Sequence, residues 1–372
     1  MTNTSVRPRG APLRRAATVA AVGLSAVVLT AGPASAHGKW FADHADGGDW
    51  GFFFSPLPLA VTVAVVVVTV LWRLVARRLP RPELAVLAPL GRLAPYIPRL
   101  LGIHLGVSLL AYSVTGGFLT PSLPLDEVPG GDFAGLVQGA VGIWLITGIR
   151  LRIPALGVVL LGPPALLAAG PVALLETADT LAVALFLVIL APSDATFGRV
   201  RPSPERLRWA LFFLRVFVGV ALITLAFSEK FTNPELARNL LEAYPELNVF
   251  ELVGIPVGVE TFIVIAGGIE LLFGLLVLSG ALPQVAVLVA MVPFNLTLFI
   301  FGTTEVIGHL PVYGVFLALL VYGSHRETAA AVPWLPSLED LRGGWERLRG
   351  GRVPGTAAER PAPARTVEHP SD

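Results

Sequence analysis

The chain has no cysteine among its 372 residues. That absence removes disulfides, thiolate metal sites, iron–sulfur clusters, c-type haem attachment and any dithiol chemistry carried by the chain itself. Charge is scarce too: Asp, Glu, Lys and Arg make up 14% of the residues and sum to +1. A near-neutral chain lacks the basic face that phosphate backbones require, which excludes nucleic acid as a partner. Apolar residues take up the composition instead, at 54% with a mean hydropathy of +0.72, well outside the soluble globular range. The expected solvent is a lipid bilayer.

Arg7, Arg9, Arg14 and Arg15 precede an apolar run over residues 16–30, and Ala34-Ser35-Ala36 follow it. This pattern predicts a secretory signal peptide over 1–36, with His37 as the mature N-terminus and an extracytoplasmic segment over 37–54. Nine apolar stretches long enough for a span follow, at about 55–75, 98–119, 133–149, 153–170, 172–191, 207–228, 255–279, 282–301 and 305–323. The expected fold is therefore an all-α polytopic membrane bundle of nine transmembrane helices. Arginines cluster after the first span (Arg73, Arg77, Arg78, Arg81, Arg92, Arg99), after the third (Arg150, Arg152), before the sixth (Arg199, Arg201, Arg206, Arg208) and after the ninth (Arg326, Arg342, Arg347, Arg349, Arg352). All of these fall on one side, which the positive-inside rule makes cytoplasmic; the N-terminus is then outside and the C-terminus inside, in the cell membrane.

Spans two and six resemble each other. Gly106-Val107-Ser108-Leu109 matches Gly219-Val220-Ala221-Leu222, and Phe118, Pro121 and Leu123 match Phe231, Pro234 and Leu236. Spans five and nine align Asp179 with His309, and Gly139 to Ile143 reads like Gly267 to Ile269. Two parallel four-helix repeats are expected, at 98–192 and 205–323, after a first span and basic loop at 55–97. The tail over 324–372, rich in Pro, Gly, Ala and Arg, reads as mostly disordered and cytoplasmic.

Ionisable residues inside spans are costly and usually face a bundle interior or a wet cavity. The second repeat carries Glu229, Lys230, Glu260, Glu270, Asn295, Glu305 and His309, all towards the outer half or the middle of its spans. An outward-open polar pocket follows, with Lys230 as counter-ion to Glu229 or Glu260. Glu305 and His309 share a helix face and could relay protons. The first repeat holds a thinner version in Gln138, Glu176 and Asp179. Arg215 can be a snorkelling residue near the cytoplasmic face. Gly267-Gly268 with Gly274 marks close helix packing. Asn233-Pro234 starts an amphipathic helix, with Leu236, Leu240 and Leu241 on one face, that should lie over the pocket as a lid. His37 and His44, flanked by aspartates, could hold Cu(II) through the terminal amine and imidazole nitrogens. No nucleotide motif, nucleophile–base constellation or complete metal site stands out, no catalytic residue is assigned, and no cofactor is identified.

The second repeat resembles the DoxX family of small four-helix membrane proteins. The residues that carry the likeness are Arg215…Gly219, then Phe227-Ser228-Glu229-Lys230-Phe231-Thr232-Asn233-Pro234, then Gly267-Gly268-Ile269-Glu270…Gly274…Gly280. His37-Gly38-Lys39-Trp40-Phe41 also resembles the opening of some larger DoxX-like proteins. The resemblance implies an accessory subunit beside a membrane or extracytoplasmic oxidoreductase, a quinol oxidase or a thiol–disulfide partner. The alternatives are a small-solute, proton or ion transporter using the Glu/His residues, and extracytoplasmic copper handling through His37 and His44.

Overall fold

Long apolar runs with few charges must satisfy their backbone groups internally, and the helix does so within one segment. The computed structural model describes residues 38–41, 48–190, 200 and 202–342, apart from the side chains of Trp40, Leu252, Thr303 and Thr304. The expected signal peptide, His37, His44 and the chain beyond 342 lie outside the described residues.

The first three helices are α1 (Pro56–Ala76), α2 (Ile97–Thr115) and α3 (Gly131–Thr147). Next come α4 (Arg152–Glu176), α5 (Ala178–Leu190), α6 (Pro204–Ala226) and a short α7 (Pro234–Ala243). The last three are α8 (Val259–Ser279), α9 (Pro283–Phe301) and α10 (Thr303–Ser324). Among the described residues seven helices are long and apolar enough to cross a membrane: α1, α2 with its 3-10 lead-in, α4, α6 with its extension, α8, α9 and α10.

The other two predicted stretches form the shorter apolar helices α3 and α5. Local signals set these lengths. Left-handed glycines, Gly130 at φ 70° and Gly148 at φ 76°, bound α3 at both ends. The boundary read at Gly170-Pro171 is a real break (φ 79°, ψ −179° at Gly170), yet helix resumes beyond it to Glu176. That shifts the fourth stretch into the fifth and leaves α5 only from Ala178 onward. Between α2 and α3 the chain makes a small antiparallel hairpin, β1 (Gly117–Phe118) with β2 (Thr120–Pro124), which the all-α expectation did not contain.

The bundle packs through matched pairs. Helix α2 lies on α3 as α6 lies on α8, and α5 packs on α6 as α10 packs on α2. Glycine makes the first two crossings possible. A Cβ on Gly106 would sit 2.6 Å from the Gly142 oxygen, and one on Gly219 would sit 2.9 Å from the Gly274 oxygen. Helix α1 packs against α8, with Val61 over Gly268 and Trp72 Nε1 donating to the Ala281 oxygen at 2.8 Å.

Arg215 does not snorkel. It is fully buried and donates at 2.6 Å to the carbonyls of both Leu278 and Trp334. The Leu278 carbonyl belongs to the last turn of α8, where helix ends leave carbonyls without intrahelical partners and favour a cation. Residues 325–334 also depart from the expected disordered tail: Val332 is buried in the core and Trp334 packs edge-on to Trp209. From Leu335 the chain forms a separate unit, in which Ser337 and Asp340 cap a helical turn.

Candidate functional site: a lidded cavity with an ionised end

At its end α6 widens into a π-turn, Phe227–Phe231. Such a turn changes helical phase within a continuous rod and is common at functional sites. Here it sets the consecutive residues Glu229 and Lys230 where both line the same cavity. The turn is held by Thr232, whose N–H and hydroxyl both donate to the Phe227 oxygen at 2.9 Å. Gly48 and Asp49 N–H groups in turn donate to the Thr232 oxygen at 2.8 and 2.9 Å.

The cavity measures about 330 Å³ and lies among α6, α8, α9 and α10. Its body is apolar, with Ile263, Ile269, Phe273, Phe294, Ile300 and Phe301 among its walls. Its polar end collects Glu229, Lys230, Glu270, Glu305 and His309. Lys230 Nζ lies 2.9 Å from Glu270 and 3.4 Å from Glu229. Gly267 allows this approach, because a Cβ there would meet Lys230 Cβ at 3.3 Å and the Phe231 ring at 3.1 Å. His309 Nδ1 lies 3.2 Å from the Glu305 carbonyl oxygen and 3.3 Å from the Glu305 carboxylate. Both neighbours are acceptors, so Nδ1 carries a proton.

Helix α7 covers the cavity. Asn233 caps it by accepting from Leu236 N–H at 3.3 Å, Pro234 sits at its first position, and Ala237, Leu240 and Leu241 face the cavity. Arg238 on its outer side donates to Glu260 at 2.6 Å, and this hydrogen bond raises the guanidinium pKa further above its ordinary value. Phe41 stacks on Phe301 at 4.0 Å, and Tyr244, just after α7, meets both rings edge-on.

A smaller polar chamber of about 20 Å³, enough for one water, adjoins this end. Lys39, Tyr112, Thr120, Ser122, Glu176 and Asp179 are among its walls, and Glu229 lines both spaces. Lys39 pairs with the Glu176 carboxylate.

The structure brings together most of the residues singled out by sequence. Glu229, Lys230, Glu270, Glu305 and His309 meet at the large cavity, and Glu176 and Asp179 meet at the chamber. Glu260 is corrected: it is the partner of Arg238 on the exposed side of the lid, and Glu270 takes its place beside Lys230. The first turn of α8 carries Glu260 and its middle carries Glu270, so one helix cannot bring both to the same cation. Asn295 is also separate, its amide donating to the Met291 oxygen at 2.6 Å within its own helix. Gln138 is fully buried and tied to the hairpin, accepting from Leu119 N–H and donating to the Gly117 oxygen.

Sequence reasoning gave no site role to Tyr112 or Arg238, and named Lys39 and Phe41 only within the opening motif that resembles larger DoxX-like proteins. One signal for Lys39 was present. The chain has only two lysines beside its many arginines, and both, Lys39 and Lys230, pair with carboxylates in these two spaces. Among the described residues no group of three His, Asp or Glu side chains is placed to hold a metal ion. No family model, no curated protein and no solved structure matches the chain.

Proposed function

We propose that this protein is a nine-span membrane protein that binds a lipophilic small molecule beneath α7 and serves as an accessory subunit of a membrane redox system. The observation that carries the binding reading is the cavity itself, an apolar body of about 330 Å³ lined on one side by α7 and ending in five ionisable side chains. Ligand sites have this make-up: mostly apolar walls with a few convergent polar groups.

Several features support the membrane arrangement. The arginine clusters alternate with the apolar helices, and α3 and α5 pack beside the seven longer ones. Positive-inside orientation then sets the cavity end outward, because α6 starts near Arg206 and Arg208 and ends at Glu229. The two four-helix halves are supported by the glycine crossings. In each half the α2-type helix meets backbone oxygen of its partner, at Gly106 with Gly142 and at Gly219 with Gly274. These contacts pair Gly142 with Gly274, one helical turn away from the pairing read in the sequence. The same register sets Gln138 against Glu270.

The redox assignment rests on the DoxX resemblance. Its support is that Glu229, Lys230 and Glu270, which stand among the residues carrying the likeness, supply three of the five ionisable side chains at the polar end of the cavity. Purification from native membranes in mild detergent, followed by mass spectrometry, tests it. Reproducible recovery of an oxidase, dehydrogenase or thiol–disulfide oxidoreductase is expected. Recovery of the chain alone would instead favour a solute or proton transporter, a reading motivated by Glu229 lining both spaces.

A further inference from the structure

Two consecutive helices form sides of the large cavity without closing on each other. Helices α8 and α9 are joined by residues 280–282 alone, yet α9 packs mainly on α10 and only sparsely on α8. Helices joined by so short a link usually pack side by side. Here their facing rows line the cavity instead: Ile265, Ile269 and Phe273 along α8, and Pro293, Thr297 and Ile300 along α9. Steps of three or four residues place each row on one helix face.

The rims of this gap are uncovered. Ile269 on α8 is 42% exposed and Leu296 on α9 is 43% exposed, and both line the cavity. No other wall residue among those described is exposed, and Ala237 and Leu241 on α7 are buried. Leu296 continues the row of α9 that carries its two most exposed apolar residues, Val292 and Phe299, one turn to either side. Ile269 stands at the middle of α8, which is hydrocarbon depth for a helix that spans a bilayer. The gap therefore faces lipid.

A second observation bears on what fills it. The Lys230–Glu270 pair stands beside Ile269 in the same cavity, with side chains 21% and 20% exposed. Hydrocarbon alone against an ion pair at this depth is costly, because ionisable groups within spans need polar company. An occupant that suits both ends is polar where it meets the pair and apolar where it passes between Ile269 and Leu296.

From this geometry we infer that the gap between α8 and α9 is a doorway to the bilayer, and that the ligand is a membrane-resident amphiphile with a long hydrocarbon chain. Its polar head lies at the ionised end, and its chain leaves between the two helices into lipid. The inference rests on the binding reading above and narrows its ligand to molecules that reside in the bilayer.

The test uses the full-length protein in lipid nanodiscs containing hexadecanol with a photoreactive diazirine near its hydroxyl end. Irradiation followed by peptide mass spectrometry maps the adducts. Adducts are expected on the buried wall residues Leu241, Ile263 and Phe273 as well as on lipid-facing Val292. Leu296→Trp narrows the doorway and should lose the interior adducts while keeping those on Val292. Phe299→Trp, on the same face and outside the cavity wall, should lose neither. Adducts confined to lipid-facing residues, or interior adducts that Leu296→Trp leaves undiminished, would overturn the doorway; the wild-type map alone decides if that variant does not fold. Absence of adducts at Ile269 and Leu296 would overturn it too, as the mark of a second copy covering the gap. Cavity-filling Ala266→Phe and a water-soluble diazirine-bearing butanol keep the two readings apart. Interior adducts formed from butanol but not from hexadecanol, and removed by Ala266→Phe, sink the doorway and leave a cavity reached from water. Interior residues labelled by neither alcohol sink the cavity reading with it.

Discussion

Replacing Gly106 or Gly219 by alanine sets two well-measured effects against each other. Alanine is the better helix former, by about 1 kcal/mol over glycine in a helix interior. Both residues lie within helices, so propensity alone predicts that each variant is more stable than the wild type. Packing predicts the opposite. The Cβ of Gly106→Ala would sit 2.6 Å from the Gly142 oxygen, about 0.8 Å short of an ordinary 3.4 Å contact, and 2.8 Å from Ile146 Cγ1. That of Gly219→Ala would sit 2.9 Å from both the Gly274 oxygen and Leu278 Cβ, about 0.5 Å short of the same 3.4 Å contact. The obstacle in both cases includes helix backbone, which cannot rotate away as a side-chain tip can, so the helix pair must separate. Overpacking of this kind costs typically about 1–3 kcal/mol. After the propensity gain, Gly106→Ala should lose about 1–2 kcal/mol and Gly219→Ala about 0.5–1 kcal/mol, in that order. Reversible unfolding in bicelles by titrated SDS reads these differences. Two variants as stable as the wild type, or more so, would refute the close-crossing argument.

Three further outcomes follow from the same geometry. Arg215→Met leaves the Leu278 and Trp334 carbonyls without their charged donor, and at about 1.5–3 kcal/mol per such bond should lower stability by roughly 3–5 kcal/mol; an unchanged thermal midpoint would contradict this. Lys230→Met leaves Glu229 and Glu270 facing each other and should cost about 3 kcal/mol, the low end for a broken buried pair because Lys230 and Glu270 retain 21% and 20% exposure. The double variant with Glu270→Gln should recover most of that loss, and a double variant no better than the single one would show the pair is not coupled. Arg238→Ala removes an ion pair whose partners are 40% and 54% exposed, so its effect should stay within about 0.2–1 kcal/mol and vanish in 1 M salt; a larger, salt-independent loss would mean the lid is held at this point.

Much of this was legible in the amino-acid sequence because the bilayer imposes simple rules. Apolar length marked the helices, and the cost of charge in lipid marked Glu229, Lys230, Glu270, Glu305 and His309 as a group. Asn233-Pro234 followed by spaced leucines marked the lid, since cap and first-turn preferences are local. What escaped is non-local. Whether Lys230 pairs with Glu260 or Glu270 depends on the π-turn and on the glycine that lets α8 approach, and neither is visible as periodicity. Lys39 and Phe41 reach the site from more than a hundred residues away in sequence, beside Glu176 and Phe301. The hairpin at Gly117–Pro124 straddles the end of the expected span at 119, which took in β1 although Gly116-Gly117 and Pro121 are helix breakers. Arg215 read as a residue bound for the interface because its carbonyl partners lie far along the chain.

The most direct test of the central claim is native mass spectrometry of the protein extracted from its own membranes, alongside Ala266→Phe, which fills the cavity wall. A small molecule retained by the wild type and absent from the variant is the predicted result. A wild-type mass equal to the bare chain, or an adduct that persists in the filled variant, would contradict the cavity as the functional site.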